Sequence, residues 1–506
     1  MQNESRTKNS IKNLIVALLM QLLTVLASFV CRTIFVKLIS EEYLGLSGLF
    51  TNIISILSLS ELGIGSAIIV NLYKPIAEND EIKIAKLMNF YRKFYTIIGI
   101  FVIFCGIILL PFLNYFIKTD VEIPHIKLYF LLFVCQSASS YFFSYKQALL
   151  TASQKEYICS LIRQAFNLLM NALQILILFL TKAYLFYLIV SIVTNLGTNI
   201  TISVIADKKF SFLRKMRKEK IDELEKKSMY KSVFSMAIHK FGNTLINSTD
   251  NILISSLIGI VITGRYSNYV LIINIIAQLT TMMLNAVSAG IGDFVSRKTK
   301  EEVKDFFISL VRMNLWVYGM SAICFCCLFQ PTISLWIGDN FLLEYDVVLL
   351  VSINFFINGI MKLPSMFVDV SGLYLKTRWK PMLMAVVNLA VSYVAAINWG
   401  LIGIFVGTIA CYFVGLWVDP HYLYKYYFNN SEVKYYFRIG VDVLAAILIG
   451  IATYYLVNIV NAYLFKVVIS LAVSNLLFFI YYCRSKEFKF FIQRVKIIFK
   501  KEGKQL

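Results

Sequence analysis

The sequence predicts an all-α membrane protein that crosses the bilayer about fourteen times, and its composition and long apolar runs carry that prediction. Hydrophobic residues make up 58% of the 506 residues, whereas 15% are charged. Soluble domains usually contain about 25% charged residues. The mean hydropathy is +0.71. Apolar runs of about 20 residues, the length an α-helix needs to cross a bilayer, recur along the chain.

Breaks between these runs define the predicted spans. Each span is predicted as a helix, because backbone groups surrounded by lipid must be hydrogen-bonded within their own segment. The shortest breaks, near residues 181 and 398, leave open that neighbouring runs merge. The spans are 12–37, 45–73, 94–117, 128–150, 157–180, 183–206, 233–258, 264–295, 305–329, 345–372, 381–397, 400–423, 437–458 and 462–483.

The positions of the basic residues support this count and orient the chain. Cytoplasmic connections of membrane proteins are enriched in Lys and Arg. With the N-terminus inside, most of the 49 Lys and Arg fall in connections and span margins predicted to be cytoplasmic. Both termini are therefore predicted to lie in the cytoplasm. The net charge of +20 is attributed to orientation and to contact with anionic lipids, and no nucleic-acid partner is expected.

A charged segment at 207–232 divides the spans into six and eight, which suggests two lobes joined by a cytoplasmic linker. The tail has aromatic and aliphatic residues on one helical face and basic residues opposite, typical of a helix lying on the inner membrane surface. The predicted parts are an N-terminal lobe at 1–206, the linker at 207–232, a C-terminal lobe at 233–426, two extra spans at 427–483 and the basic amphipathic tail at 484–506.

One span contains an unusually polar string, HKFGNTLINSTDN at 239–251. Its polar residues recur every three or four positions, the spacing of one helical face. A loop would not separate polar from apolar residues in this way, so the string is predicted to be a stripe inside span 7. The stripe consists of Lys240, Asn243, Thr244, Asn247 and Asn251, with Asp250 at its flank.

Other ionisable residues are predicted to lie inside spans: Arg32, Glu61, Lys362 and Asp369. Such residues usually face other helices or water. Lys362 precedes Pro364, where a kink can expose backbone carbonyls to a cavity. Arg32 can also be explained by snorkelling to the outer surface, and Glu61 and Asp369 can be explained as partners of basic groups.

Arg312, near the inner end of its span, is predicted to snorkel to the membrane surface. Together with the span 7 stripe, the other in-span groups predict a water-filled cavity. Lys and Arg attract phosphate, while Asn and hydroxyl side chains suit sugars. The predicted substrate-binding residues are Lys240, Asn243, Asn247, Lys362 and Arg32, and the predicted ion-coupling or counter-ion residues are Asp250, Glu61 and Asp369.

No catalytic motif is found in the sequence: it has no Walker loop, HExxH or GxSxG. The nine cysteines lie in or beside apolar runs, and the CFCC group at 324–327 has no histidine nearby. Buried thiols are therefore expected, and neither a metal nor another cofactor is predicted.

Four stretches resemble a known family. EYLGLSGLF at 42–50, followed by ELGIGSAIIVNLYKPIAENDEIKIAKLMNFYRKFY at 61–95, is similar to polysaccharide flippases of the multidrug/oligosaccharidyl-lipid/polysaccharide exporter superfamily. The later NSTDNILIS and GRYSNYVLIINII resemble the start of that family's second half. The resemblance implies two six-helix lobes around a central cavity, two extra C-terminal helices, and alternating-access movement of a polyprenyl-pyrophosphate-linked oligosaccharide from the inner to the outer leaflet.

The resemblance also suggests the surroundings of the protein. A bacterial cytoplasmic membrane is expected, with glycosyltransferases and a polymerase as partners in the same pathway. Two other functions are considered. An ion-coupled multidrug exporter of the same superfamily should have a cavity richer in acids than bases. A membrane polysaccharide polymerase usually has a large outer loop, and the outer connections near 117–127 and 330–344 are short.

Overall fold

The computed structural model describes residues 20–21, 23–58, 64–119, 121–216, 221–223, 227, 229 and 242–490. Side chains are not described at 64, 66–67, 214–215, 285–290 and 293. Within the described residues the chain is helical and contains no strand. It forms two compact units, Met1–Gly264 and Arg265–Leu506.

The first unit contains eight helices of ten residues or more among its described residues, and a one-turn helix, Phe212–Lys215, follows α7. After α4 the chain continues through a short 3₁₀ turn, Leu110–Phe112, and one helical turn, Leu113–Phe116. A π turn, Ile254–Ile258, follows α8. The helices are α1 at 20–38 with residue 22 not described, α2 Glu41–Leu57, α3 Ile64–Ala77, α4 Glu81–Leu109, α5 Ile126–Ala152, α6 Glu156–Thr181, α7 Tyr184–Lys209 and α8 at 242–253.

The second unit begins within the first turns of α9. A capping box at Thr299 and Glu302 begins α10, since the Thr299 side chain accepts from the Glu302 backbone and the Glu302 carboxylate accepts from the Thr299 backbone. The helices are α9 Ile260–Arg297, α10 Lys300–Ile337, α11 Tyr345–Val370, α12 Lys380–Trp399, α13 Leu401–Tyr422 with a π turn at Leu423–Phe428, α14 Val433–Asn458 and α15 Tyr463–Tyr482.

The predicted fold class is confirmed. Eleven of the described helices are long and apolar enough to cross a membrane. Each of the fourteen predicted spans overlaps one of the helices α1–α15, and the second overlaps both α2 and α3. The two short breaks do not merge: α6 ends at Lys182 with φ 50°, and α12 ends at Gly400 with φ 57°. Left-handed backbone at these positions cannot continue a helix.

Several helices extend well beyond their predicted bounds. Span 3 was expected at 94–117, but α4 begins at Glu81, where Asp80 accepts a hydrogen bond from the Lys83 backbone at 2.9 Å. Hydropathy reports only the part of a helix that lies in lipid, so polar turns outside it are missed. The predicted tail falls largely outside the described residues, and the predicted linker falls partly outside them. The predicted lobe boundaries stay a prediction, and the compact units divide at Gly264.

A line of polar side chains joins α1 to α6. Three hydrogen bonds connect residues that are each 143 positions apart. Because this separation is constant, the two helices run parallel and in register. The pairs are Gln164–Gln21 at 3.4 Å, Asn171–Ser28 at 3.1 Å and Gln174–Cys31 at 3.5 Å.

The α12–α13 hairpin is packed almost backbone to backbone. A Cβ built on Gly407 would lie 2.4 Å from the Ser392 backbone nitrogen, and one on Gly403 would lie 2.2 Å from the Ala395 carbonyl carbon. Small residues four apart let membrane helices approach closely. Asn388 of α12 donates to Thr408 of α13 at 3.1 Å inside this contact.

The prediction that Arg312 snorkels is wrong. Arg312 is 9% exposed, and its guanidinium makes two parallel hydrogen bonds to Asp442 of α14, both at 2.9 Å. It also donates to Glu487 at 2.8 Å and lies over the Tyr482 ring at 4.9 Å. Asp442, 130 residues later, supplies the neutralising charge. A paired guanidinium need not reach the surface.

Candidate functional site

A polar stripe runs along α11. Asn354, Asn358, Lys362, Ser365 and Asp369 follow one another at intervals of four, four, three and four, which places them on one helical face. Pro364 interrupts the backbone hydrogen bonding of α11 directly before Ser365. The stripe therefore offers amide, ammonium, hydroxyl and carboxylate groups in succession along one membrane helix.

Most of the stripe is anchored to neighbouring helices. Asn354 donates to the Phe405 carbonyl at 3.3 Å, and Asn358 donates to the Tyr412 hydroxyl at 2.8 Å, both on α13. Ser365 donates to Asp419, also on α13. Asp369, in the last turn of α11, is exposed. These contacts hold α11 against α13 and fix the direction in which its polar face points.

Lys362 lies at the middle of the stripe and is half-buried. Its ammonium donates to Thr281 of α9 at 3.1 Å and lies 5.4 Å from the centre of the Tyr318 ring of α10. Tyr318 itself donates to Thr280 at 3.0 Å. Hydroxyls and an aromatic face stabilise a cation without neutralising it. Lys362 thus lies among neutral polar groups.

Three other buried or half-buried cations of the described chain are each paired with a carboxylate. Lys146 pairs with Asp207 at 2.8 Å, Arg312 pairs with Asp442, and Lys380 pairs with Asp419 at 2.6 Å. Among the described residues, no carboxylate pairs with Lys362. An uncompensated ammonium in a low-dielectric setting favours binding of an anion.

The polar string of span 7 is helical as predicted over 242–253. Asn243 and Asn247 are both exposed on one face, and Asn247 donates to the Asn243 carbonyl at 2.9 Å. Asp250 is half-buried beside them, whereas Ile246 and Leu253 are buried on the far face. Exposed Asn side chains thus lie on one face of α8, while Ser248 and Thr249 are buried together with the apolar residues.

The remaining predicted residues are spread along the chain. Arg32 is half-buried on α1, in electrostatic contact with Tyr184 and Tyr187 of α7. Lys362 and Asp369 share the α11 stripe, while Asn243, Asn247 and Asp250 share α8. Lys240 and Glu61 lie outside the described residues.

Sequence reasoning missed most of the α11 stripe and the surroundings of Lys362. The four-and-three spacing from Asn354 to Asp369 was present in the sequence, but the intervening residues are so apolar that only the charged members were noticed. Thr281 and Tyr318 carry no sequence signal, because their contact with Lys362 joins three helices far apart in the chain.

Comparison with protein families identifies the chain. The model of a family described as polysaccharide biosynthesis protein matches residues 10–289, more than half of the sequence. The chain belongs to this polysaccharide biosynthesis protein family. The match includes the stretch at 61–95 and the polar string at 239–251, so the resemblance noted in the sequence is confirmed. A comparison with curated proteins gave no match.

Solved structures show which fold this family member has. The lipid II flippase MurJ in an inward closed conformation matches with a TM-score of 0.68 at 12% identity, covering 92% of this chain and 99% of MurJ. An inward-facing multidrug resistance MATE family transporter of the MOP superfamily matches with a TM-score of 0.64 at 12% identity, covering 78% and 92%. A MOP superfamily transporter from Pyrococcus furiosus matches with a TM-score of 0.53 at 12% identity, covering 81% and 93%. The family member therefore has the fold of these transporters.

Proposed function

We propose that the protein is a transporter that flips a polyprenyl-pyrophosphate-linked oligosaccharide from the inner to the outer leaflet by alternating access, for export of cell-surface polysaccharide. Membership in a polysaccharide biosynthesis family supports the polysaccharide pathway. The fold shared with the lipid II flippase MurJ supports a lipid-linked cargo. A bacterial cytoplasmic membrane with both termini inside is the proposed location.

The observation that carries this proposal is the uncompensated charge of Lys362. A pyrophosphate is an anion that a lysine ammonium can bind through charge-assisted hydrogen bonds. The neighbouring groups, Thr281, Asn358 and the Tyr318 ring, suit hydroxyls and sugar faces. Lys240, Arg32, Asn243 and Asn247 are proposed to contribute further polar contacts. Asp250, Glu61 and Asp369 are proposed as counter-ions or coupling groups.

Replacing Lys362 with alanine is expected to slow flipping by roughly ten- to a hundredfold, because a hydrogen bond to a charged group is worth about 1.5–3 kcal/mol. The measurement uses purified protein in vesicles that contain a fluorescent polyprenyl-pyrophosphate oligosaccharide. A membrane-impermeant reductant bleaches only the probe in the outer leaflet, so the rate of bleaching reports the rate of flipping.

Lys376→Ala is the matched control. Lys376 is exposed in the connection after α11 and lies over the Tyr426 ring at 3.7 Å, so its loss should leave the flipping rate unchanged. Lys362→Arg, which keeps the charge, should retain part of the rate. Full flipping by the double variant Lys240→Ala, Lys362→Ala would exclude cationic recognition of the pyrophosphate.

The same vesicles distinguish the multidrug alternative. An exporter of cationic drugs should transport a fluorescent cation, and loss of Lys362 should leave that transport intact or increase it, since one repulsive charge is removed. Transport of the cation without flipping of the pyrophosphate lipid would favour that function. The enzymes proposed as partners are the glycosyltransferases that build the oligosaccharide and the polymerase that extends it.

A further inference from the structure

A second buried ion pair, Lys380–Asp419, lies beside Ser365 of the α11 stripe. Asp419 of α13 is 0% exposed, and Lys380 at the start of α12 is 8% exposed. The Lys380 ammonium donates to Asp419 Oδ2 at 2.6 Å and to the Ser365 hydroxyl at 3.1 Å. Ser365 in turn donates to the same Asp419 oxygen. Three helices therefore meet in a closed ring of three side chains.

The two carboxylate oxygens of Asp419 differ in the hydrogen bonds that they accept. Oδ2 accepts from both Lys380 and Ser365, whereas Oδ1 is buried and has no hydrogen-bond partner among the described residues. An unsatisfied buried acceptor costs about 1–3 kcal/mol. In native proteins such an atom requires an explanation.

Asp442, in the same unit, is a buried carboxylate whose two oxygens both accept hydrogen bonds. Arg312 donates to both of its oxygens, and the Tyr481 hydroxyl donates to Oδ1 at 2.8 Å. The partner of Asp442 is a guanidinium, whose charge is permanent. The partner of Asp419 is instead a lysine ammonium, and one carboxylate oxygen of Asp419 accepts no hydrogen bond from the described residues. The difference indicates that Asp419 is built to accept something further.

Proline interrupts the backbone hydrogen bonding of two of the three helices at this site, α11 and α13. Ser365 follows Pro364 on α11, and Asp419 precedes Pro420 on α13. Pro420 lacks the N–H that would bond the Leu416 carbonyl, and the Tyr436 hydroxyl donates instead to Trp417 O at 2.9 Å and Leu416 O at 3.4 Å. Helices bend most readily at such points. A change in the Asp419 charge can therefore be transmitted to the angle of either helix.

We propose that Asp419 is a proton-binding site, with Ser365 and Lys380 setting when the proton is bound. The proton adds to the open oxygen, Oδ1, and the carboxylate becomes a neutral acid. Lys380 keeps its ammonium charge and retains the Ser365 oxygen as an acceptor, so the ring changes from net zero to net +1. The weakened electrostatic attraction between Lys380 and Asp419 then allows α12 and α13 to separate at this end.

Other titratable groups face this site. Tyr435 and Tyr436 of α14 are in electrostatic contact with Asp419. Two residues further along the chain, His421 bonds Glu432 at 2.8 Å, and this hydrogen bond holds the pKa of Glu432 below its usual value. A test of Asp419 must therefore separate a carboxyl signal from an imidazole signal.

Infrared difference spectroscopy of the purified full-length protein makes that separation, because a protonated carboxyl has a carbonyl band that imidazole lacks. Acidification of the wild-type protein should produce a band from a buried carboxylic acid, and Asp419→Asn should remove it. Asp305→Asn, which changes an exposed carboxyl of α10, should leave the band in place. A wild-type band that persists unchanged in Asp419→Asn overturns the proposal.

Ser365→Ala keeps the test decisive if Asp419→Asn does not fold. The Ser365 hydroxyl stabilises the charged carboxylate, so its removal should move the midpoint of the band to higher pH by about 0.5–1 unit. An unchanged midpoint overturns the proposal. The spectra need no lipid substrate, so this result is independent of whether the protein flips a pyrophosphate lipid.

Discussion

Replacement of Asp442 with alanine is expected to destabilise the protein by about 3–5 kcal/mol, because it leaves the Arg312 guanidinium buried without its main counter-ion. Asp442 is 0% exposed, and its carboxylate accepts three hydrogen bonds, two from Arg312 and one from Tyr481. The pair joins α10 to α14, and Glu487 extends it beyond α15. Reversible unfolding in mixed detergent micelles measures the change.

Two further variants test the cause of this loss. Arg438→Ala removes the exposed partner of Glu487, a bond of 2.7 Å, and should cost at most about 1 kcal/mol. The double variant Arg312→Met, Asp442→Leu removes both charges and should recover most of the stability, since apolar residues can replace a buried pair. A double variant as unstable as Asp442→Ala would show that packing, not charge, dominates at this position.

Gly407→Ala is expected to destabilise the α12–α13 hairpin by about 1–3 kcal/mol, the usual cost of forcing extra atoms into a packed contact. The added carbon would lie 2.4 Å from a backbone nitrogen and 2.5 Å from a backbone Cα, both of Ser392. Backbone atoms cannot rotate away as a side chain can. The two helices must therefore move apart, which would also strain the bond between Asn388 and Thr408.

Gly440→Ala is the matched control, because it makes the same chemical change in α14. Nothing lies within 4 Å of a carbon added there. Alanine has the higher helix propensity, so this variant should gain about 0.5–1 kcal/mol. The two substitutions are thus expected to have opposite signs in one unfolding assay. Equal effects would contradict the packing explanation.

The sequence predicted the fold class because the bilayer reduces the problem to one repeated signal. A run of about 20 apolar residues forms a helix wherever it occurs. Charge placement then supported the count of spans. The helix ends were less well predicted, since a segment such as 81–93 of α4 is helical without being apolar.

The candidate site was only partly predictable. Lys362 was identified because a lysine inside a membrane span is rare. The pairing of Arg312 with Asp442 and of Lys380 with Asp419 was not foreseen, because each joins helices that the sequence does not place side by side. Asp419 also lies near the end of an apolar helix, where a carboxylate is usually solvated. Its burial depends on tertiary packing against α11 and α12.

The in-register contact between α1 and α6 bears on how the protein is made. Gln21, Ser28 and Cys31 meet their partners only after the chain has been synthesised to Gln164, Asn171 and Gln174, respectively. Until then, the polar groups of the first helix have to remain hydrated or be sheltered by the insertion machinery, since unsatisfied groups in hydrocarbon are costly. The constant offset also means that a one-residue insertion inside either helix would turn part of the line away from its partners. Natural length variation should therefore be found in the connections outside these two helices.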